Sequence, residues 1–306
     1  MEGDIKFDKC IYIPVALPGD KLFHYTSASG LKGIVDGEFW ITERHFLNDR
    51  TEFKIGTEIL CELLYENIKE HKVAERLILK IKEEEERMTR FAELSEGIAF
   101  SGHYVISFSL EKDNILLWSE YSNFMGYSLQ FDFDKIIKEF SNVKVLYHGK
   151  VVYDKNKQKS YFMRTLQEEF FEDNHWEYIN SWDDFEKIPV EEENIFVQLV
   201  YVYCMLYNMF FKKECFSEEK EYRIICDFVH DGGSYKENEY VKTHFRIKDE
   251  VLIPFVKQPI DCSKCLEAVI VGPKNNSDIA VEGLKYYFRA KKMDVEIGKS
   301  EMPFRY

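Results

Sequence analysis

Residues 21–42 read KLFHYTSASGLKGIVDGEFWIT, and this stretch predicts a strand followed at once by a short helix. Polar and apolar side chains alternate over Lys21–Thr26, as they do in a half-buried strand. Ser27 has the side chain of a helix N-cap, the helix is expected over Ala28–Val35, and Gly37 is expected to end it. The last polar residues of the strand are therefore expected to lie next to the N-terminus of a helix.

The rest of the chain mixes helical and strand-like patterns without a repeat or a linker of low complexity. Apolar residues recur at helical spacing over residues 51–96, with one break near Lys72, and again over residues 159–213. Short strands are expected at residues 39–42, 104–110, 127–133, 143–153, 221–229, 244–247, 266–271 and 295–298, and short helices at 114–121 and 278–288. We predict an α+β fold in one domain, residues 1–306, with the two helical segments as insertions or a helical lobe.

Composition limits the partners that this chain can have. It has 306 residues, 55 of them acidic and 41 basic, which gives a formal net charge of −14. Such a charge opposes general attraction to nucleic acid or to anionic membranes, so a polyanion must be met at a locally basic surface. The apolar stretch 195–211 is short for a membrane span and contains polar residues, which favours a buried helix.

Seven scattered cysteines are typical of reduced thiols, and the first residues do not resemble a secretory signal, so we expect a cytoplasmic protein. Cys262 and Cys265 have the spacing of half a zinc site, but no second pair accompanies them. No metal site is predicted.

His24, Tyr25 and Thr26 form the first group of residues that could carry chemistry. A histidine at the end of a strand can donate a hydrogen bond to a ribose hydroxyl, while neighbouring backbone groups can hold a planar carboxamide. Together these are the requirements for binding a nicotinamide riboside. The alternative is that His24 is a structural histidine and that Thr26 and Ser27 only cap the helix.

A second group is Ser107-Phe108-Ser109, which is followed by the helical pattern around Trp118 and Tyr121. Ser107 and Ser109 could orient a ligand or a catalytic carboxylate, and either ring could stack on a flat ligand. Trp118 taken alone is more simply explained as a core residue.

The third group is Glu221-Tyr222-Arg223 at the start of a strand, where alternation places Glu221 and Arg223 on one face. Glu221 could bind a ribose hydroxyl and stabilise an oxocarbenium-like transition state, as carboxylates do in glycosyl transfer. The alternative is a solvated ion pair on the sheet surface.

These groups, in this order, resemble a bacterial family of unknown-function domains. Its members carry a Tyr-His-Tyr-Thr start, a Leu-Asn-Asp motif, a Ser-Phe-Ser strand and a Glu-Tyr-Arg strand. The corresponding residues here are 23–26, 47–49, 107–109 and 221–223, and the endings at 271–274 and 299–303 are similar too. Asn48 and Asp49 could line a cleft, or Asp49 could cap the helix that follows.

That family is in turn similar to the ADP-ribosyltransferase superfamily, in which a first strand ends in His-Gly-Thr or a variant and leads into a short helix. The resemblance implies a split mixed β-sheet with a cleft for NAD. It also implies His24 on a ribose, Thr26 near the carboxamide and Glu221 as the catalytic carboxylate. Tyr25 replaces the usual glycine, which implies a different approach of the backbone to NAD.

The sequence thus leads to the hypothesis of an NAD-dependent ADP-ribosyltransferase that modifies a nucleic acid or a protein. By analogy it would be a toxin or an anti-phage defence effector, with an antitoxin or regulator as a further partner. A basic stretch interleaved with aromatic residues could bind single-stranded RNA or DNA, although it could also be an ordinary exposed hairpin. Its basic residues are Lys144, Lys150, Lys155, Lys157, Lys159 and Arg164.

Two other functions remain open at this point. A metal-dependent nuclease could use Glu218 and Lys220 with Asp132 or Asp134 as a partner ligand. A sensor could bind NAD or nucleic acid without performing chemistry. Magnesium dependence would distinguish the nuclease, and ligand binding without nicotinamide release would distinguish the sensor.

Overall fold

The structure is a computed structural model that describes residues 4–7, 11–47, 54–94, 103–140, 145–172, 179–227, 243–248, 250–275 and 277–303. The roles expected for Asn48, Asp49 and Lys144 fall outside these residues. The chain divides into two compact units. Unit 1 comprises Met1–Val15, Asn48–Phe100 and Val151–Ser217, and unit 2 comprises Ala16–Leu47, Ser101–Lys150 and Glu218–Tyr306.

Helices and strands alternate along the chain, which confirms the predicted α+β class. The strands are β1 (Asp4–Phe7), β2 (Ile11–Pro14), β3 (Lys21–Thr26), β4 (Glu38–Glu43), β5 (His103–Ser109), β6 (Tyr127–Asp132), β7 (Val145–Lys150), β8 (Glu221–Asp227), β9 (His244–Lys248), β10 (Val251–Pro259), β11 (Leu266–Val271) and β12 (Glu296–Lys299). The helices are α1 (Ala28–Val35), α2 (Ile55–Asn67), α3 (His71–Leu94), α4 (Ile115–Ser122), α5 (Phe133–Glu139), α6 (Lys155–Leu166), α7 (Val190–Asn208), α8 (Cys262–Cys265) and α9 (Ser277–Lys291).

Unit 1 is mainly helical and contains α2, α3, α6 and α7 together with the antiparallel pair β1 and β2. The chain breaks between α2 and α3 a few residues before Lys72, close to the predicted position. Helix α7 buries Phe196, Val200 and Cys204. Its other side leaves Ile195, Leu199 and Val202 about half exposed, so this apolar helix is buried on one side only. No helix in the described part of the chain has the length and apolar character to cross a membrane.

Unit 2 is built on a mixed sheet that contains the ten strands from β3 to β12. All described strand pairs in it are antiparallel except β11 with β12. One arm of the sheet runs β3, β6, β11, β12, and a second arm runs β4, β10, β9. Both arms start from the same edge of β5, whose other edge pairs with β8.

The sheet forks at β5. Strand β3 meets β5 at one end, where Phe23 pairs with Ser109, and β4 meets it at the other end, where Thr42 pairs with Val105. Between these contacts, residues 106–108 have no strand partner on that edge among the described pairs. We call this open edge of residues 106–108 the fork. The backbone polar groups there need partners other than a strand.

One face of the sheet, the core face, is covered by apolar side chains. Leu22, Phe39, Phe108, Phe131 and Tyr222 belong to one buried cluster, and the helices of unit 2 add residues such as Ile34, Ile136 and Phe288. Alternation turns Ser107, Ser109, Glu221 and Arg223 to the opposite face, which we call the polar face. The core therefore fixes the strands that carry the predicted site residues.

The junction between β3 and α1 folds as the sequence predicts. The Ser27 side chain caps α1 by accepting a hydrogen bond from Gly30 N at 3.2 Å. A Cβ atom at Gly30 would lie 2.0 Å from the Thr26 hydroxyl oxygen, so glycine is required for the close packing of this junction. The bounds predicted for β3, α1 and β11 are confirmed. Elements β1, β2, β10, α5 and α8 were not predicted.

Candidate functional site

The His24 side chain occupies the fork. Its Nδ1 atom lies 3.0 Å from the main-chain oxygen of Ser107, on the stretch of β5 that has no strand partner. The ring packs edge-on against Phe39 and Phe108, with centroids 4.9 and 5.7 Å away. The side chain thus supplies a hydrogen bond that a neighbouring strand would otherwise give, and two aromatic rings fix its orientation.

The environment keeps His24 neutral. Burial lowers the pKa of His24 to about 4, the positive charge of Arg246 acts in the same direction, and the bond to Ser107 opposes them. Because a carbonyl oxygen can only accept, Nδ1 carries the ring proton and Nε2 is left as an acceptor. A hydroxyl that reached Nε2 of His24 would therefore donate to it, which is the reverse of the direction expected from the sequence.

Glu221 and Arg223 form a buried ion pair on the polar face. Arg223 donates from Nε to Glu221 Oε1 and from Nη2 to Oε2, both at 2.8 Å. Glu221 is 6% exposed and Arg223 is 1% exposed, so the solvated ion pair considered from the sequence is wrong. A two-point contact of this kind orients the carboxylate.

The hydroxyls of the two serines of β5 make different contacts. Ser109 lies across from Glu221 and is buried, and its hydroxyl donates to Glu219 O at 2.8 Å and accepts from Glu111 N at 3.0 Å. Ser107 lies across from Arg223 and is half-buried, and no hydrogen bond of its hydroxyl is found among the described residues. Ser109 therefore shapes the start of β8, and Ser107 has a hydroxyl available at the fork.

The backbone turns sharply just before Glu221. Lys220 has φ of +44°, in the left-handed region, and its carbonyl accepts from Leu110 N at 2.9 Å. A side chain in this conformation is strained, and such strain is retained where the position of the next residue matters. Lys220 also pairs with Glu111 at 2.6 Å. The turn and the contacts of Ser109 together fix where β8 begins.

Tyr25 and Trp118 lie in a small core on the side of β3 away from His24. Their rings meet edge to face with centroids 4.8 Å apart, and Trp118 is 0% exposed. The Tyr25 hydroxyl donates to Glu111 O at 2.8 Å and accepts from Asn114 N at 2.9 Å. The Trp118 ring is therefore enclosed by protein, and the Tyr25 side chain ties β3 to the loop after β5.

Asp113 connects this core with the residues that follow β12. Its carboxylate accepts from Trp118 Nε1 at 2.6 Å, from the Ser300 hydroxyl at 2.7 Å and from Glu301 N at 2.7 Å. These contacts join the segment before α4 to Ser300 and Glu301, just after β12.

Thr26 and Tyr121 complete the predicted set. Thr26 is half-buried against Gly30, and Tyr121 is 37% exposed on α4. Ser107, Ser109, Glu221 and Arg223 are brought together on the polar face, and the His24 ring is joined to them through the Ser107 carbonyl. The His24 ring packs against Phe39 and Phe108 on the core face, whereas the Glu221 side chain lies on the polar face.

The structure adds two residues, Arg246 and Thr42, that the sequence did not single out. Arg246 of β9 donates from Nη2 to the Thr42 hydroxyl at 2.8 Å, and its positive charge contributes to the lowered pKa of His24. Its guanidinium also lies 5.9 Å from the centre of the Phe255 ring, on which Trp40 stacks at 4.7 Å. Strand β9 was predicted, but the run Phe245-Arg246-Ile247 does not tell which of its faces is turned inward.

The predicted basic stretch is divided between the two units. Lys155, Lys157 and Lys159 belong to α6 in unit 1, whereas Lys150 ends β7 in unit 2. Lys155 pairs with Glu62 at 2.6 Å, and Lys159 pairs with Glu66 at 2.6 Å and with Glu62 at 3.0 Å. These carboxylates compete with any polyanion for the two lysines.

The residues considered for a nuclease have structural partners. Asp132 caps α5 and pairs with Lys21 at 3.1 Å, and Asp134 accepts from Gly19 N at 3.2 Å. Within the described ranges, no three His, Cys, Asp or Glu side chains are grouped closely enough to hold a metal ion. Cys262 and Cys265 are buried in and beside α8, where the Cys262 thiol donates to Ile34 O at 3.2 Å.

One comparison with known proteins gives a match. Residues 117–224 match the model of a family described as a protein of unknown function, DUF2971. The match extends from α4 to the start of β8 and includes Trp118, Glu221 and Arg223, which is consistent with the resemblance to an unknown-function family. No curated protein and no solved structure matches the chain.

Proposed function

We propose that this protein transfers ADP-ribose from NAD to a macromolecule. The observation that supports the proposal best is a buried carboxylate, Glu221, oriented by Arg223 on the strand beside an open sheet edge that holds a neutral histidine. Transfer breaks the bond between the ribose C1′ and the nicotinamide nitrogen, and nicotinamide leaves with the electron pair. A nucleophile of the acceptor then bonds to C1′ and loses its proton to the solvent.

In this proposal Glu221 stabilises the positive charge that develops on the ribose. A carboxylate near C1′ is favourable in the transition state because an oxocarbenium ion is forming there. Arg223 donates to both oxygens of Glu221, and in this proposal the carboxylate also accepts from a ribose hydroxyl. Arg223 is then a positioning residue that fixes the plane of the carboxylate.

His24 and Ser107 bind the ribose from the side of the fork. Nε2 of the neutral His24 ring accepts from a hydroxyl, and the Ser107 hydroxyl can donate to or accept from the same sugar. Thr26, at the end of β3, is proposed near the carboxamide. Because Trp118 is enclosed in the core, Tyr121 is the remaining candidate of the two rings for stacking on nicotinamide.

The acceptor and the biological role are proposals that rest on analogy. A single-stranded nucleic acid could bind along α6, where Lys157 has no ion pair among the described contacts. Lys155 and Lys159 would first have to leave Glu62 and Glu66. A role as a toxin or anti-phage effector controlled by an antitoxin follows from the superfamily resemblance alone.

The burial of Glu221 favours one second candidate, a sensor that binds NAD without cleaving it. At 6% exposure the carboxylate has little room for a ribose unless neighbouring side chains move. The two candidates are separated by incubating the protein with NAD labelled in the adenosine part and with cell extract. A transferase produces labelled macromolecule and free nicotinamide, and Glu221→Gln abolishes both products. A sensor binds NAD and releases no nicotinamide.

A further inference from the structure

Strand β9 presents its side chains in an unusual order for a strand at the edge of a sheet. Phe245 and Ile247 are 63% and 75% exposed, whereas Arg246 between them is turned inward and half-buried. Burying a guanidinium costs much more free energy than burying an apolar side chain of similar size. The opposite register would bury two apolar residues instead, so the fold alone does not account for an inward arginine.

Arg246 has no counter-ion in the described structure. Its Nη2 donates to the Thr42 hydroxyl, its guanidinium approaches the Phe255 ring, and its Nε is buried without a hydrogen-bond partner. None of the described ion pairs involves it, and burial alone accounts for the lowering of its pKa. A half-buried guanidinium without a counter-ion can bind an anion with less further loss of solvation than an exposed arginine would suffer.

The position of this cation connects it with the fork. Thr42 pairs with Val105 at one end of the open edge, and the positive charge of Arg246 contributes to the lowered pKa of His24. Since the Thr42 hydroxyl oxygen accepts from Arg246, its own hydrogen remains free to donate. The Arg246 guanidinium and the Thr42 hydroxyl can each donate a hydrogen bond to an oxygen of a phosphate group.

We propose that Arg246 and Thr42 bind a phosphate group of the ligand. The inference rests on the proposed function in taking the ligand to be NAD, whose diphosphate would then lie at the β4 end of the fork. One structural explanation competes with it, because an inward charge on an edge strand also discourages pairing between edges of two molecules. That explanation predicts self-association, and not weaker phosphate binding, when the charge is removed.

The test is calorimetric titration of the full chain with ADP, adenosine and inorganic pyrophosphate, each at a temperature at which every variant is folded. Arg246→Met removes the charge and keeps the aliphatic length, and Arg289→Gln on α9 is the control, an exposed arginine of the same unit. We expect Arg246→Met to weaken ADP binding at least about tenfold, to leave adenosine binding unchanged and to preserve or raise the unfolding temperature. The control should bind ADP as the original protein does.

Three results would overturn the inference. They are no binding of ADP or pyrophosphate by the original protein, equal ADP affinity in Arg246→Met, and self-association of that variant with ADP affinity unchanged. Pyrophosphate could also bind as tightly as ADP, with the same dependence on Arg246. That result would support a phosphate site and would show that the nucleoside contributes little to the affinity. If ADP binds through Arg246 but NAD releases no nicotinamide, the phosphate site stands and the transferase proposal fails.

Discussion

His24 donates its Nδ1 proton to the main-chain oxygen of Ser107 at 3.0 Å, across the one stretch of β5 where two arms of the sheet separate. A side chain thus satisfies a backbone group that the diverging strands leave open. The same bond fixes the tautomer of the ring and points an acceptor nitrogen away from β5. This link makes the end of β3 part of a candidate site.

The first prediction concerns the pH dependence of stability. The folded pKa of His24, about 4, lies below the ordinary value of 6.5, so folding favours the neutral ring. The contribution of the neutral ring to the free energy of unfolding is complete above pH 6.5 and is lost as the pH falls toward 4. Between pH 7 and pH 5 the loss amounts to about 1–2 kcal/mol. His24→Gln keeps an N–H donor for Ser107 and does not titrate.

Urea unfolding of the original protein and of His24→Gln at several pH values measures this difference. The free energy of unfolding should fall less steeply toward acid in the variant. His148, whose pKa burial also lowers to about 4, contributes equally to both proteins and cancels in the comparison. Parallel curves for the two proteins would mean that His24 is not held neutral by the fold.

The second prediction concerns the buried ion pair. Removing one partner leaves a buried charge uncompensated, so Arg223→Met and Glu221→Leu should each cost about 3–5 kcal/mol of unfolding free energy. The double variant should cost clearly less than the two single losses added together. A double-mutant cycle by chemical denaturation gives the coupling, and additive losses would show that the two side chains do not act as a pair.

The third prediction concerns Gly126, at the turn between α4 and β6. A Cβ atom there would lie 2.3 Å from Thr26 O and 2.4 Å from the Ser122 Cβ, so Gly126→Ala should destabilise the protein by about 1–3 kcal/mol. Gly283 in α9 has open space around its missing Cβ. Gly283→Ala should therefore stabilise by up to about 1 kcal/mol. Thermal unfolding of both variants measures these two changes in stability, which should have opposite signs.

The sequence predicted local structure well where a cap or a pattern determines it. Ser27 and the alternation of Lys21–Thr26 were sufficient for β3 and α1, whose bounds agree with the structure. Strand β10 was not predicted, because its residues 251–259 do not alternate cleanly and contain two prolines. The short helix α5 was also missed, since Asp132 caps it directly at the end of a strand.

The site was predictable only in part, because its shape depends on pairings distant in sequence. The motif order identified His24, Ser107 and Glu221, but no local pattern shows that β3 and β4 leave the same edge of β5. Likewise, the sequence favours Trp118 as a core residue, but only its contacts with Asp113 and Tyr25 show that the ring is enclosed. Arg246 was overlooked because its inward position depends on the register of β9 with β10.

The proposed transfer depends on the carboxylate of Glu221, and a matched pair of variants shows whether it does. Glu221→Gln changes the buried carboxylate, and Glu218→Gln changes an exposed one that a nuclease would need. Thermal unfolding first confirms that both variants are folded.

The measurement is nicotinamide release from NAD in the presence of cell extract. We expect release by the original protein and by Glu218→Gln, and a loss of at least about a hundredfold in Glu221→Gln. Undiminished release by a folded Glu221→Gln would mean that Glu221 does not stabilise the transition state, and no release by the original protein would mean that it does not transfer ADP-ribose from NAD.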